Sequence, residues 1–400
     1  MTYRFLAGPR VFLLSAGAAV ASLLAAAGSS GCSPPVPVAA PTLPPEAEPA
    51  APLPWSGAEA MNTEFYIGSR EEEGAEFARF AHEIRDIQEK QAQDHTQPIS
   101  RGFHAKAHGC LWGAIVPWPG RDPRTRYGVF AEPALTRSVW VRFSNGVGWS
   151  QDDRKNDARG MAVKVMNVPG KKYSPDEEST QDFLMTNAPT PVGKNAEEFM
   201  TFAHANAKGL FPSLLFLVGH PVSGAPALLH TNPIHSAVTE QYWSGGAYHL
   251  GAHQTIKYTA KPCDGSPSRD LLEDSPDYLT GDLAAAAKGG ICYTLYAQFQ
   301  VDPERTPIEN AAKEWTEDVA PLVRVADVRL PPQDIDSARE HTFCDSLSFT
   351  PWHAIPAHKP MGHINRARQF VYGASRVYRR GGHEPKGFEG FDQPAKITTP

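Results

Sequence analysis

The chain has 400 residues, with 38 Lys and Arg against 44 Asp and Glu, a formal net charge of −6 and a pI near 6.2. That mild acidity excludes a basic nucleic-acid groove and a polybasic membrane surface. The length permits one large β-rich domain.

The N-terminus reads as a targeting segment. Arg4 and Arg10 precede an apolar run from Val11 to Ala27, then the small residues Gly28-Ser-Ser-Gly31 and Cys32. That order fits a secretory signal peptide over 1–31. It makes Cys32 the expected lipidated residue of an exported lipoprotein, periplasmic or membrane-anchored, although Ser29 stands where an aliphatic residue is expected. A single-pass anchor is the alternative, since the run is near the lower limit for a spanning helix. Residues 32–56 form a tether rich in Pro and Ala, too poor in large apolar side chains to build a core. The globular part is therefore expected over 57–400. It holds Cys110, Cys263, Cys292 and Cys344, in no CxxC or zinc spacing. Export permits disulfides, and free thiols fit the sequence equally well.

Glu71 to His95 predicts a helix, because Phe77, Phe80, Ile84 and Ile87 recur on one face. The chain then turns mostly to β. Strands are expected over 104–116, 138–144, 159–168 and 182–185. In the second, Val139, Val141 and Phe143 alternate with Trp140, Arg142 and Ser144. Helices are expected over 195–208 and 212–218, further strands over 254–260, 293–301 and 322–330, and a last helix over 364–380. Widely spaced strands with few short hairpins predict an α+β fold, a large antiparallel barrel or sandwich with added helices. A Rossmann fingerprint, a P-loop, a nucleophile elbow and an HExxH helix are all absent.

The last helix carries the most informative spacing. Arg368, Tyr372 and Arg379 fall within roughly 40° of one another on a helix face, at about 100° per residue. A guanidinium beside a tyrosine favours the phenolate, and phenolate is a known axial ligand of haem iron. The same spacing fits an amphipathic helix with exposed arginines and one packed tyrosine.

Taken in order, the motifs resemble the catalase family. Arg101-Gly-Phe-His-Ala-Lys106 is similar to the strand bearing the distal histidine, and Val141-Arg-Phe-Ser144 to the strand with a propionate arginine and a serine bonded to that histidine. Asp157-Ala-Arg-Gly-Met-Ala-Val-Lys164 resembles a third family strand, and Asp182 to Pro189 the segment with the distal asparagine. Phe199, ten residues after Pro189, matches a haem-stacking phenylalanine, and Arg368, Tyr372 and Arg379 match the proximal motif. The resemblance spans Phe103 to Arg380 and is nearest to compact catalase-related proteins that lack the C-terminal domains. Trp352-His353, Gly362 and Asn365-Arg-Ala-Arg368 look like that branch.

The resemblance implies a ferric haem b enzyme that decomposes hydrogen peroxide. His104 is then the catalytic base, Asn187 orients peroxide, and Ser144 fixes the histidine tautomer. Tyr372 ligates the iron and Arg368 keeps it ionised. Arg101, Arg142 and Arg379 pair with propionates, and Phe199 stacks on the macrocycle. Either Thr186 or Asn187 falls at the distal amide position. His108 shares the parity of His104, but no third ligand stands at a metal-binding spacing. Pro191-Val192 replaces the family's aromatic pair, which opens the substrate side. Two further readings stay in view: an enzyme processing fatty-acid or other organic hydroperoxides, and a non-enzymatic haem-binding lipoprotein.

Overall fold

Val139, Val141 and Phe143 point the same way along Arg137–Asn145 (β2), and all three are buried in one continuous apolar core. The computed structural model describes residues 61–380 apart from 121, 175–178, 225–230 and 264–274. The expected signal peptide, Cys32 and the whole tether lie outside the described residues. The remaining strands are β1 (Ala107–Pro117), β3 (Arg159–Val165), β4 (Gln181–Thr186), β5 (Tyr242–Trp243), β6 (Ala247–His249), β7 (Thr255–Pro262), β8 (Ile291–Phe299), β9 (Leu322–Leu330) and β10 (Pro360–Met361). Their antiparallel pairings run β1–β2–β3–β4–β5–β7–β8–β9 and return to β1. This closes an eight-stranded barrel, and closure removes the open sheet edges that invite mispairing. β6 pairs with both β7 and β10 outside that ring.

Register explains the core. Leu111, Val141, Val163 and Phe183 face one another across four neighbouring strands and are essentially inaccessible. Burying each such side chain contributes roughly 2 kcal/mol. The opposite face of β2 is covered too. Trp140 packs on Phe343, and Arg142 and Ser144 are buried.

Three helices build a second core beside the barrel. They are α1 (Arg70–His95), α2 (Ala196–Ala207) and, after α3 (Leu210–Gly219), α4 (Tyr278–Ala287) and α5 (Ala338–Ser346), the last helix α6 (His363–Arg380). A Ser69–Glu72 capping box starts α1. Phe77, Phe80 and Ile84 from α1 meet Met200 from α2 and Val371 from α6, with Phe103, Phe199 and Tyr372 at the margin. Arg366 on α6 binds Glu73 on α1 at 2.7 Å, and also reaches Glu64 and Glu309. A buried arginine must be compensated in this way, so the cluster fixes α6 against α1.

The fold is the expected α+β barrel with surrounding helices, with local differences. The first strand begins at Ala107 instead of His104, because His104 takes φ 57° and a register irregularity lies between Ala107 and Gly109. The third strand ends at Val165, and Asn167, at φ 56°, turns the chain. Helices α4 and α5 are additions to the elements expected from the sequence. Disulfides join Cys110 to Cys344 and Cys263 to Cys292, which settles a choice the sequence left open. No helix among the described residues is long and apolar enough to cross a membrane.

Candidate active site

His104 stands just before β1, in the left-handed backbone region that side chains other than glycine seldom adopt. Its neighbours hold it there. Its N–H donates to the Gly146 carbonyl at 2.7 Å, and its carbonyl accepts from Arg142 Nη2 at 2.9 Å. Strain of this kind persists only where the surroundings over-determine it, and it clusters at functional sites. Ser144 Oγ lies 3.2 Å from His104 Nδ1. Assigning the ring proton to Nδ1 leaves the Nε2 lone pair free to take a proton.

The ring's seat is made by an absence. Ser144, Gly160 and Thr186 form one cross-strand row on β2, β3 and β4. A Cβ on Gly160 would fall 2.5 Å from His104 Nδ1 and 2.9 Å from Ser144 Oγ. Only glycine leaves room for the imidazole. Burial, with the charges of Arg142, Arg368 and Arg101, pushes the His104 pKa down to about 4. The imidazole is neutral at pH 7 and able to act as a base.

Three arginines gather beside it. Arg101 and Arg379 both donate to the carbonyls of Asp345 and Leu347, at the C-terminal end of α5. A helix C-terminus attracts cations. The Cys110–Cys344 disulfide ties that helix to β1. Arg142 also donates to the carbonyl of Ala105, while its buried Nε has no partner among the described residues. Burial and the charges of Arg101 and Arg379 hold Arg142 well below the usual arginine range. The carboxylate of Asp345 lies 3.8 Å from Arg101 and is largely exposed. Arg142 thus offers a buried donor to an anionic group.

On α6, the Arg368 guanidinium carbon lies 5.9 Å from the centre of the Tyr372 ring. A shallow cleft opens beside Tyr372, walled in part by Ser348, Thr350, Trp352 and Arg376. Phe199 on α2 meets Phe103 edge-on at 5.2 Å, in the same apolar margin as Tyr372. A haem would need a donor to its iron, apolar walls and cations for two propionates, and these residue types fit it. His104, Ser144, Arg101, Arg142, Arg379, Phe199, Arg368 and Tyr372, all expected from the sequence, each have at least one of the others as a contact, a shared partner or a cluster neighbour.

Asn187 is placed differently. Its Oδ1 accepts from the Arg159 N–H at 2.7 Å and its Nδ2 donates to Glu240 at 3.3 Å. Thr186 is the residue that shares the row of Ser144 and Gly160. His108 sits apart, with Nε2 3.0 Å from Asn145 Oδ1. The sequence reading passed over Gly160, Tyr248 and the side chain of Asn365. For Gly160 a signal existed, since an isolated glycine inside a strand marks a close approach.

No family model matches the chain, and no curated protein matches it. Solved structures do. A fungal catalase matches with a TM-score of 0.59 at 20% identity, over 72% of this chain and 61% of its own. Catalase A from Saccharomyces cerevisiae matches with a TM-score of 0.58 at 19% identity, over 72% and 62%. A bacterial catalase matches with a TM-score of 0.58 at 17% identity, over 77% and 64%. The chain thus spans about three fifths of the length of these catalases. The closed barrel, its helices and these likenesses together give the chain a catalase-related fold.

Proposed function

We propose that this chain binds ferric haem b between His104 and Tyr372 and decomposes hydrogen peroxide. The observation that carries the reading is a neutral histidine, braced by Ser144 in a seat only glycine allows, beside a buried arginine, Arg142, whose Nε has no partner among the described residues. Tyr372 would ligate the iron, and Arg368 would favour its phenolate. Arg101, Arg142 and Arg379 take the propionates, and Phe103 and Phe199 supply apolar walls. Bound haem supplies the redox-active iron. The protein's own part is proton handling: His104 Nε2 accepts a proton from one peroxide oxygen and returns it to the other, so that water leaves. Two peroxides then give two waters and one dioxygen.

Export is part of the proposal. Two disulfides fit an oxidising compartment, and the basic and apolar N-terminal run fits a leader. The test is an oxygen electrode with the haem-loaded protein. Wild type should evolve oxygen from hydrogen peroxide, and His104→Ala should keep haem yet lose at least about 100-fold in turnover. Retained turnover would remove His104 from the mechanism. Consumption of a lipid hydroperoxide without oxygen evolution would favour the organic-hydroperoxide reading, and haem uptake without either reaction would favour a binding role.

A further inference from the structure

Asn365 begins one turn before Arg368 on α6 and is wholly buried. Its Nδ2 donates to the carbonyls of Ala247, on β6, at 2.8 Å and Met361, on β10, at 3.2 Å. Both amide hydrogens are thereby used, which fixes the amide and aims Oδ1 the other way. That oxygen accepts from Arg368 Nη1 at 3.0 Å. Two further features lock the group. The Asn365 carbonyl accepts from Trp352 Nε1 at 2.6 Å, and Trp352 walls the cleft beside Tyr372. A Cβ on Gly246 would come within 2.7 Å of Asn365 Nδ2, so the strand end is bare where the amide lies. Close by, Tyr248 on β6 is fully buried, with the Arg368 guanidinium and the Asn365 amide near its hydroxyl.

The contacts run in one direction, from the sheet through a neutral amide to the guanidinium. An arginine side chain has about 2 kcal/mol of rotamer freedom to lose, and one helical turn of sequence proximity does not remove it. We propose that Asn365 is a positioning residue that holds the Arg368 guanidinium against Tyr372 from an anchor on β6. An amide suits this role because it accepts from arginine without neutralising it, so the positive charge stays available to the tyrosine. Trp352 and Gly246 then serve the same end at one remove. The inference rests on the reading of Tyr372 as iron ligand, but the brace itself is a property of the protein without haem.

The test compares Asn365→Leu with Asn365→Asp. Both lose the two Nδ2 donors, so damage to the β6 anchor is common to them. Only aspartate keeps an acceptor for Arg368. Without haem, rotation of the Arg368 guanidinium, read by nitrogen NMR, should be slow in wild type and Asn365→Asp. It should be about tenfold faster in Asn365→Leu, the equivalent of one hydrogen bond to a charged group. With haem, Asn365→Leu should release haem to a scavenging protein about tenfold faster, and Asn365→Asp should restore slow release while its carboxylate, drawing on the Arg368 charge, leaves the tyrosinate absorption shifted from wild type. If leucine and aspartate behave alike in the guanidinium measurement, the brace is overturned. If wild type takes up no haem while the guanidinium result holds, the haem reading fails and the brace stands.

Discussion

Adding one methyl group at Gly160 would test the distal site without removing any functional group. An ideal Cβ there lies 2.5 Å from His104 Nδ1, 2.7 Å from its Cε1 and 2.9 Å from Ser144 Oγ. Comfortable contact begins at about 3.5 Å, so the ring must retreat by roughly 1 Å. Gly160 is not among the residues at positive φ, so alanine adds no backbone strain of its own. Overpacking of this kind costs typically about 1–3 kcal/mol. A displacement of about 1 Å at a catalytic group costs about 100-fold in rate. Gly160→Ala should therefore fold with a modestly lower Tm, bind haem as wild type does, and evolve oxygen about 100-fold more slowly. The assay is an oxygen-electrode trace with haem content and Tm measured on the same preparation. Turnover within about threefold of wild type, at full haem occupancy, would refute the assignment of His104 as a base that must sit in this seat.

Acid should act through buried histidines. Burial and nearby arginine charge hold His104 at about 4, and burial holds His358 at about 3. In the unfolded chain both titrate near 6.5, so between those limits the unfolded state binds more protons. Their stabilisation is complete above about pH 6.5 and is lost as pH falls towards 4 and then 3. Tm should decline over that window, and peroxide turnover should stay level to about pH 5 and fall through about pH 4. A rate midpoint near pH 6.5 would contradict a buried, neutral His104. Thr186 and Asn187 can be separated in parallel. Thr186→Val should lower turnover about tenfold with little change in Tm, if the row it shares with Ser144 and Gly160 faces peroxide. Asn187→Leu should instead destabilise the protein by about 1–3 kcal/mol, because it strands the Arg159 N–H and Glu240. The reverse pattern, seen by thermal unfolding and oxygen evolution, would return the distal amide role to Asn187.

Much of the fold was legible because barrel strands repeat every second residue. Val139, Val141 and Phe143 announced the inward face of β2, and Phe77, Phe80 and Ile84 the buried face of α1. The order of the site motifs was legible too, since His104, Arg142 and Ser144 stand in short strings. What stayed hidden was decided by contacts far apart in sequence. His104 leaves the strand pattern because Gly146 and Arg142 capture its backbone, 42 and 38 positions on by their numbers. The pairing of Cys110 with Cys344, 234 residues apart, has no local signature. Asn365 stands in a legible string with Arg368, but what its side chain does depends on Ala247, 118 positions away, which helps to fix its amide. Thr186 and Asn187 differ by one register step, and only the pairing of β3 with β4 tells which one shares the face of Ser144.

The central claim is that Tyr372 and His104 bracket a haem. Titrating ferric haem b into the purified haem-free protein, with absorption spectra recorded for wild type and Tyr372→Phe, tests it most directly. Wild type should saturate stoichiometrically with a high-spin ferric tyrosinate spectrum, and Tyr372→Phe should lose that spectrum and bind haem at least about 100-fold more weakly. Identical spectra and affinities for the two proteins, or no saturable uptake by wild type, would contradict it.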